Sequence, residues 1–154
     1  MPLDAIDRRI LAALQEDGRI TNQDLAQRAG LSPSACSRRL HMLEEEGIIA
    51  GYGARVDAAA LGYATTVVVR ISLERQTEEV FERFEAAVRS QPQIMECFLM
   101  SGMADYQLRV VARDAADYEA LHKNVLSRLP GVARIESNFA LRLVVRRQGL
   151  PIKP

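Results

Sequence analysis

Two periodicities divide the chain. Up to about residue 60 the apolar positions recur at helical spacing, as in Leu3, Ile6, Ile10, Leu11 and Leu14. Beyond it, Val67, Val69, Ile71 and Leu73 alternate at period two, which is the signature of a half-buried strand. Asp57–Gly62 sits at the change, so residues 1–52 and 64–154 are expected as two domains joined by a linker over 53–63.

The first part predicts three short helices. Asp4 suits an N-cap, and Asp17-Gly18 ends the first helix near Glu16. Thr21 caps the second, with Asp24 three residues on and Leu25, Ala26 and Ala29 inward, and Gly30 stops it. Ser32 and Pro33 start the third, where proline's missing N–H is harmless; Cys36, Leu40 and Leu43 form its core face and Gly47 ends it. Two helices across the tight Ala29–Ser32 turn make a helix-turn-helix, and Ile48–Tyr52 follow as a short extended arm.

The second part reads strand, helix, strand, strand, helix, strand. Residues 64–74 alternate, 77–90 carry Val80, Phe81, Phe84, Ala87 and Val88 on one face, and 94–101 and 105–113 flank Gly102 as a hairpin. A helix over 115–129 is expected to turn Tyr118, Leu121, Val125 and Leu129 inward. The last strand, 133–146, carries Ile135, Phe139, Leu141 and Leu143. The order is that of an α+β, ferredoxin-like βαββαβ domain, with both helices on one face of an antiparallel sheet. The other face is expected to be apolar and covered by a second copy.

Composition narrows the function classes. The 154 residues hold 20 Lys+Arg against 20 Asp+Glu and are 48% apolar, which excludes a disordered chain. No apolar run spans a bilayer, the acidic start lacks a signal-peptide pattern, and Cys36 and Cys97 are too sparse for a disulfide framework or zinc site. A reduced, cytoplasmic protein without membrane contact is expected. His41 and His122 lack partners at metal spacing, and no phosphate loop, dinucleotide fingerprint or nucleophile elbow occurs. Neither catalytic residues, cofactor nor metal is expected.

Two places carry candidate chemistry. Reading a major groove needs small polar residues near a helix start and arginines for phosphate or guanine. Thr21, Asn22, Ser32, Ser34, Ala35, Ser37, Arg38, Arg39 and Met42 are the candidates, in a window (19–42) of net charge +3. Residues 1–60 as a whole carry seven Arg and nine acids, so DNA binding must come from this local patch; the plainer reading is a solvated face of a three-helix unit. The second place is Ser101–Tyr106. Free N–H groups around Gly102 suit a carboxylate and Asp105 an ammonium, the two ends of an α-amino acid; the plainer reading is a hairpin with a turn glycine.

Taken together, Leu3–Leu11, Asp17–Asn22, Leu31–Cys36, Arg39-Leu40, Leu43-Glu44, Gly47–Tyr52, Glu96-Cys97, Ser101-Gly102, Asp105-Tyr106 and Leu129–Val132 resemble the Lrp/AsnC (feast/famine) transcriptional regulators. The resemblance covers about residues 3–150. It departs at Met103-Ala104, where the family often has a polar residue, and at Ser34-Ala35, where many members have Thr-Pro. It implies a winged-helix-like reader of double-stranded DNA and a ligand domain that dimerises through its sheet, with dimers assembling to octamers. The implied effector is an amino acid held between dimers around Leu99, Ser101, Gly102, Met103, Ala104, Asp105, Tyr106, Asn138 and Phe139. An effector there acts through differential affinity for two arrangements, altering the spacing of the reading helices. A ligand-insensitive architectural DNA-binding protein and a sirohaem-decarboxylase-like enzyme share parts of this plan and stand as alternatives.

Overall fold

In the computed structural model, which describes residues 2–147 and 149–153, Asp4 starts the first helix, α1 (Ala5–Glu16), through a reciprocal cap. Its Oδ1 accepts the N–H groups of Ile6 and Asp7, both at 2.8 Å, while Asp7 Oδ2 accepts the Asp4 N–H at 3.1 Å. Thr21 caps α2 (Asn22–Ala29), which ends at Gly30 with φ +72°. Only glycine adopts that left-handed geometry without strain. Ser32 and Pro33 open α3 (Pro33–Glu45) as expected. Ile10, Leu25, Ala29, Cys36 and Leu43 form the core of this three-helix unit. The segment that follows is not a strand: it bends at Ile48 and Ile49, whose N–H groups both donate to Leu43 O, and it is tethered by the Tyr52 hydroxyl, which donates to Glu44 Oε1 at 2.8 Å. Burial, reinforced by that carboxylate, pushes the Tyr52 phenol up to about 12.

The second unit contains β1 (Thr65–Leu73), α4 (Glu78–Arg89), β2 (Ile94–Leu99), β3 (Tyr106–Ala112), α5 (Ala115–Asn124), a 3₁₀ turn (Leu126–Arg128) and β4 (Val132–Phe139). The strands form one antiparallel sheet in the order β2-β3-β1-β4. This is the expected α+β ferredoxin-like plan. Inward residues of β1 and β3 (Val67, Val69, Ile71, Leu108, Val110) pack with Phe84, Tyr106 and Leu126 under the helices.

Four expectations need correction. The helix predicted over 115–129 stops at Asn124, because Val125 leaves helical geometry at φ −121°, ψ −68°. The break turns Leu126 fully into the core and leaves Val125 only half-buried. The last strand ends at Phe139 rather than 146: Ala140 N–H still reaches Thr66 O, but β1 starts at Thr65 and offers later residues nothing to pair with. Leu141 and Leu143 are consequently exposed. The chain divides into Met1–Arg55 with Val144–Pro154, and Val56–Leu143, so the tail groups with the helical unit instead of the sheet unit. There Gln15 Nε2 donates to Leu150 O at 3.2 Å, and Leu150 N–H donates back to Gln15 Oε1.

The fourth correction concerns the uncovered sheet face, which is not apolar. Arg70, Ser72, Gln107, Arg109, Arg134, Glu136 and Asn138 stand on it beside Phe98, Val68 and Val111, because they alternate with the buried positions of each strand. Arg109 grips Glu96 through two bonds at 2.9 and 3.2 Å, and Arg70 lies 3.9 Å from Glu136. Among the described residues no helix is long and apolar enough to cross a membrane.

Candidate functional site

The exposed strip of α3 is built from Ser34, Ser37, Arg38 and Met42, a set at helical three- and four-residue spacing on one side. Cys36 and Leu43 hold the opposite side in the core. Arg38 has no ion-pair partner among the described residues, so its guanidinium is available to a phosphate or guanine edge. His41 continues the strip but lies 3.2 Å from Glu45 and 3.9 Å from Glu44, ending the electropositive character there.

Other candidates from the sequence have internal employment. The Thr21 hydroxyl accepts the Asp24 N–H at 3.2 Å and donates to Asp24 Oδ2 at 2.7 Å. Ser32 accepts the Ala35 N–H at 3.3 Å, and Ala35 is half-buried. Asn22 Nδ2 donates to Pro33 O at 2.9 Å, joining the starts of α2 and α3, while its Oδ1 is buried without a partner among the described residues. Arg39 turns away from the strip. Its Nη1 donates to Asp4 Oδ2 and Asp7 Oδ1, each at 2.7 Å. The backbone cap and this guanidinium together hold the Asp4 carboxyl down at about 2. Asp7 was missed from sequence, although an acid three residues after an N-cap was a readable signal. A groove of about 350 Å³ beside this cluster is lined by Pro2, Asp4, Asp7, Arg38, Arg39 and Met42.

In the sheet unit, a cavity of about 420 Å³ opens where the β2–β3 hairpin meets the uncovered sheet face. Gly102, Met103 and Ala104, three of the hairpin candidates, line it together with Met100. The sheet supplies Arg70, Ser72, Gln107, Arg134 and Glu136, none of which the sequence reading singled out. Alternation marked them as outward-facing, but only the strand register brings them to one spot. Arg70 stands across from Gln107 on one side and Glu136 on the other, and Ser72 across from Arg134.

The remaining hairpin candidates lie elsewhere. Asp105 Oδ2 accepts the Leu73 N–H at 2.7 Å, which ties the end of β1 to the hairpin. Tyr106 is buried beneath α4, donates to Glu85 at 3.0 Å and stacks on Phe84 at 4.4 Å. Burial first, then the Glu85 carboxylate, push its phenol upward. Phe139 packs edge-on against Tyr118 at 5.2 Å, on the helix side of the sheet. Leu99 and Ser101 are exposed, and Asn138 sits on the uncovered face, but these three do not line the cavity. Gly102 has no left-handed φ, and an added Cβ there would meet nothing within 4 Å, so the turn itself does not demand glycine. No cluster of described residues could hold a metal ion.

Comparison with known proteins matches residues 3–50 to a winged helix-turn-helix DNA-binding model and residues 66–150 to an Lrp/AsnC ligand-binding domain. The chain is 49% identical over 150 residues to the Bkd operon transcriptional regulator of Pseudomonas aeruginosa, covering 97% of this chain and 98% of that one. It is 42% identical to the leucine-responsive regulatory protein of Salmonella typhimurium, over 98% of this chain and 92% of that one. A Neisseria meningitidis transcriptional regulator solved with L-Met superimposes with a TM-score of 0.92 at 35% identity, over 97% of each chain.

Proposed function

Because this chain belongs to the Lrp/AsnC family of transcriptional regulators, we propose that it is an amino-acid-responsive regulator that reads double-stranded DNA with α3 and senses its effector at the hairpin cavity. The observation that carries this reading is the pairing, in one polypeptide, of an exposed Ser34–Ser37–Arg38 strip, with the Ser34 hydroxyl 3.3 Å from that of Ser32, and a cavity lined by unlike charges. An α-amino acid has one anionic and one cationic end. Arg134 suits the carboxylate and Glu136 the ammonium, with Met100 and Met103 against the side chain. Asp105, already bonded to Leu73, supports the hairpin from behind. On this reading the protein works in the cytoplasm and carries out no catalytic step.

The functional unit is a homodimer, with dimers assembling further to octamers. A two-fold pair presents two α3 strips to a pseudo-palindromic site. An effector changes DNA binding only by favouring one arrangement of those strips over another.

The test is a thermal-shift screen of the purified chain against the twenty amino acids, followed by footprinting with and without any hit. Binding to the native state raises the midpoint with ligand concentration. One concentration-dependent hit that also alters the footprint supports the reading. A footprint with no amino-acid effect at millimolar ligand and little sequence preference instead supports the architectural alternative.

A further inference from the structure

We propose that Arg39 is a positioning residue rather than a DNA contact: by bridging Asp4 and Asp7 it holds α3 against the start of α1 and so sets how Ser34, Ser37 and Arg38 are presented, an inference that rests on α3 being the DNA-reading helix. Asp7 is the one charged side chain among the described residues that is buried, at 3% exposure. A buried carboxylate without a cation is strongly unfavourable, so withdrawing Arg39 toward a phosphate would strand it.

The geometry explains why such a bridge matters. α2 packs along both α1 and α3, whereas α1 and α3 meet at few places. Asn22 secures only the beginning of α3, through Pro33 O. Arg39 lies half-way along the helix and reaches both carboxylates from one nitrogen, which fixes a direction as well as a distance. Arg38, the adjacent residue, is rotated about 100° around the helix and stays exposed. Two neighbouring arginines therefore have separate duties, one facing solvent and one facing the fold.

The experiment uses the full chain, a duplex selected by the native protein from a random pool, and a scrambled duplex of equal composition. Asp7→Asn removes a negative charge from the DNA-binding unit, and long-range electrostatics alone would tighten DNA binding. The bridge predicts the opposite. Asp7→Asn and Arg39→Gln each weaken binding to the selected duplex by about tenfold, the double variant is no worse than either single one, and Arg39→Lys recovers part of the loss. Affinity for the scrambled duplex and the slope of log affinity against log salt stay as in the native protein. Arg38→Gln, by contrast, weakens both duplexes and lowers that slope by about one.

A slope lowered by Arg39→Gln, with Asp7→Asn binding at least as well as native, would make Arg39 a phosphate contact and overturn the proposal. Amide hydrogen exchange on the DNA-free chain gives an independent reading: Asp7→Asn speeds exchange along α3 but not α2. Unchanged α3 exchange also overturns the proposal. Should the native protein select no duplex, the DNA-reading assignment of α3 fails, while exchange still decides whether the bridge holds the helix.

Discussion

Asp4 joins backbone capping to side-chain electrostatics in one residue. One oxygen closes the first turn of α1 and the other takes Arg39, and both interactions favour the ionised form. Its carboxyl is held at about 2, below the unfolded value, so the sign of the linkage is set. The stabilisation is complete above an unfolded carboxylate pKa of about 3.9 and is lost as pH falls toward 2. Asp4→Asn keeps an oxygen for the cap but removes the charge. Its thermal midpoint is expected to lie below that of the native protein at pH 7, and the two are expected to converge near pH 2. Parallel midpoints across that range would show that the Asp4 charge contributes nothing. Because Asp4 is exposed, the gap at pH 7 is small and shrinks with added salt.

At the scale of elements, the connection from the 3₁₀ turn to β4 depends on a glycine, whereas the β2–β3 hairpin does not. Gly131 has φ +73°, and a Cβ added there would lie 2.7 Å from Val80 Cγ1 of α4. Gly131→Ala therefore meets both backbone strain and overlap with a packed side chain, and is expected to cost roughly 2 kcal/mol in denaturant unfolding. Gly102→Ala meets neither and is expected to unfold as the native chain does. Equal stability of the two variants would mean that α4 shifts freely enough to admit the methyl group. If Gly102 matters to function, it matters for what approaches the hairpin from outside.

For the whole molecule, the composition of the uncovered sheet face decides what kind of assembly it supports. An apolar face would associate largely indifferently to salt. This one carries Arg70, Arg109, Arg134, Glu96 and Glu136, so two copies meeting there bury charges of both signs. Such contacts gain specificity from charge matching and are screened by ions. Sedimentation velocity is expected to show an oligomer at 0.1 M salt that loosens measurably at 1 M. Indifference to salt would place the association on Met95, Phe98, Leu99, Met100 and Met103, the exposed large apolar residues of β2 and its hairpin.

The sequence by itself determined the order of elements and the cores of both units. Those depend on local rules: a cap at Asp4 or Ser32, a stop at Gly30, and period-two alternation through Val67, Val69 and Ile71. It also marked Ser34, Ser37, Arg38 and Arg39 together as groove-reading candidates, because helical spacing turns Cys36, Leu40 and Leu43 inward and leaves them on other faces. Tertiary structure decided what each polar residue does. Arg38 and Arg39 are neighbours of identical chemistry, and only the placement of α1 beside α3 makes one a free cation and the other a clamp. Likewise Arg70, Gln107, Arg134 and Glu136 come from three strands and share a cavity only through strand register. The last strand stops at Phe139 although Leu141, Leu143 and Val145 continue its alternation, because a strand forms only where another lies ready to pair. Local pattern specifies what a segment is able to become; partners distant in sequence determine which of its groups remain free to act.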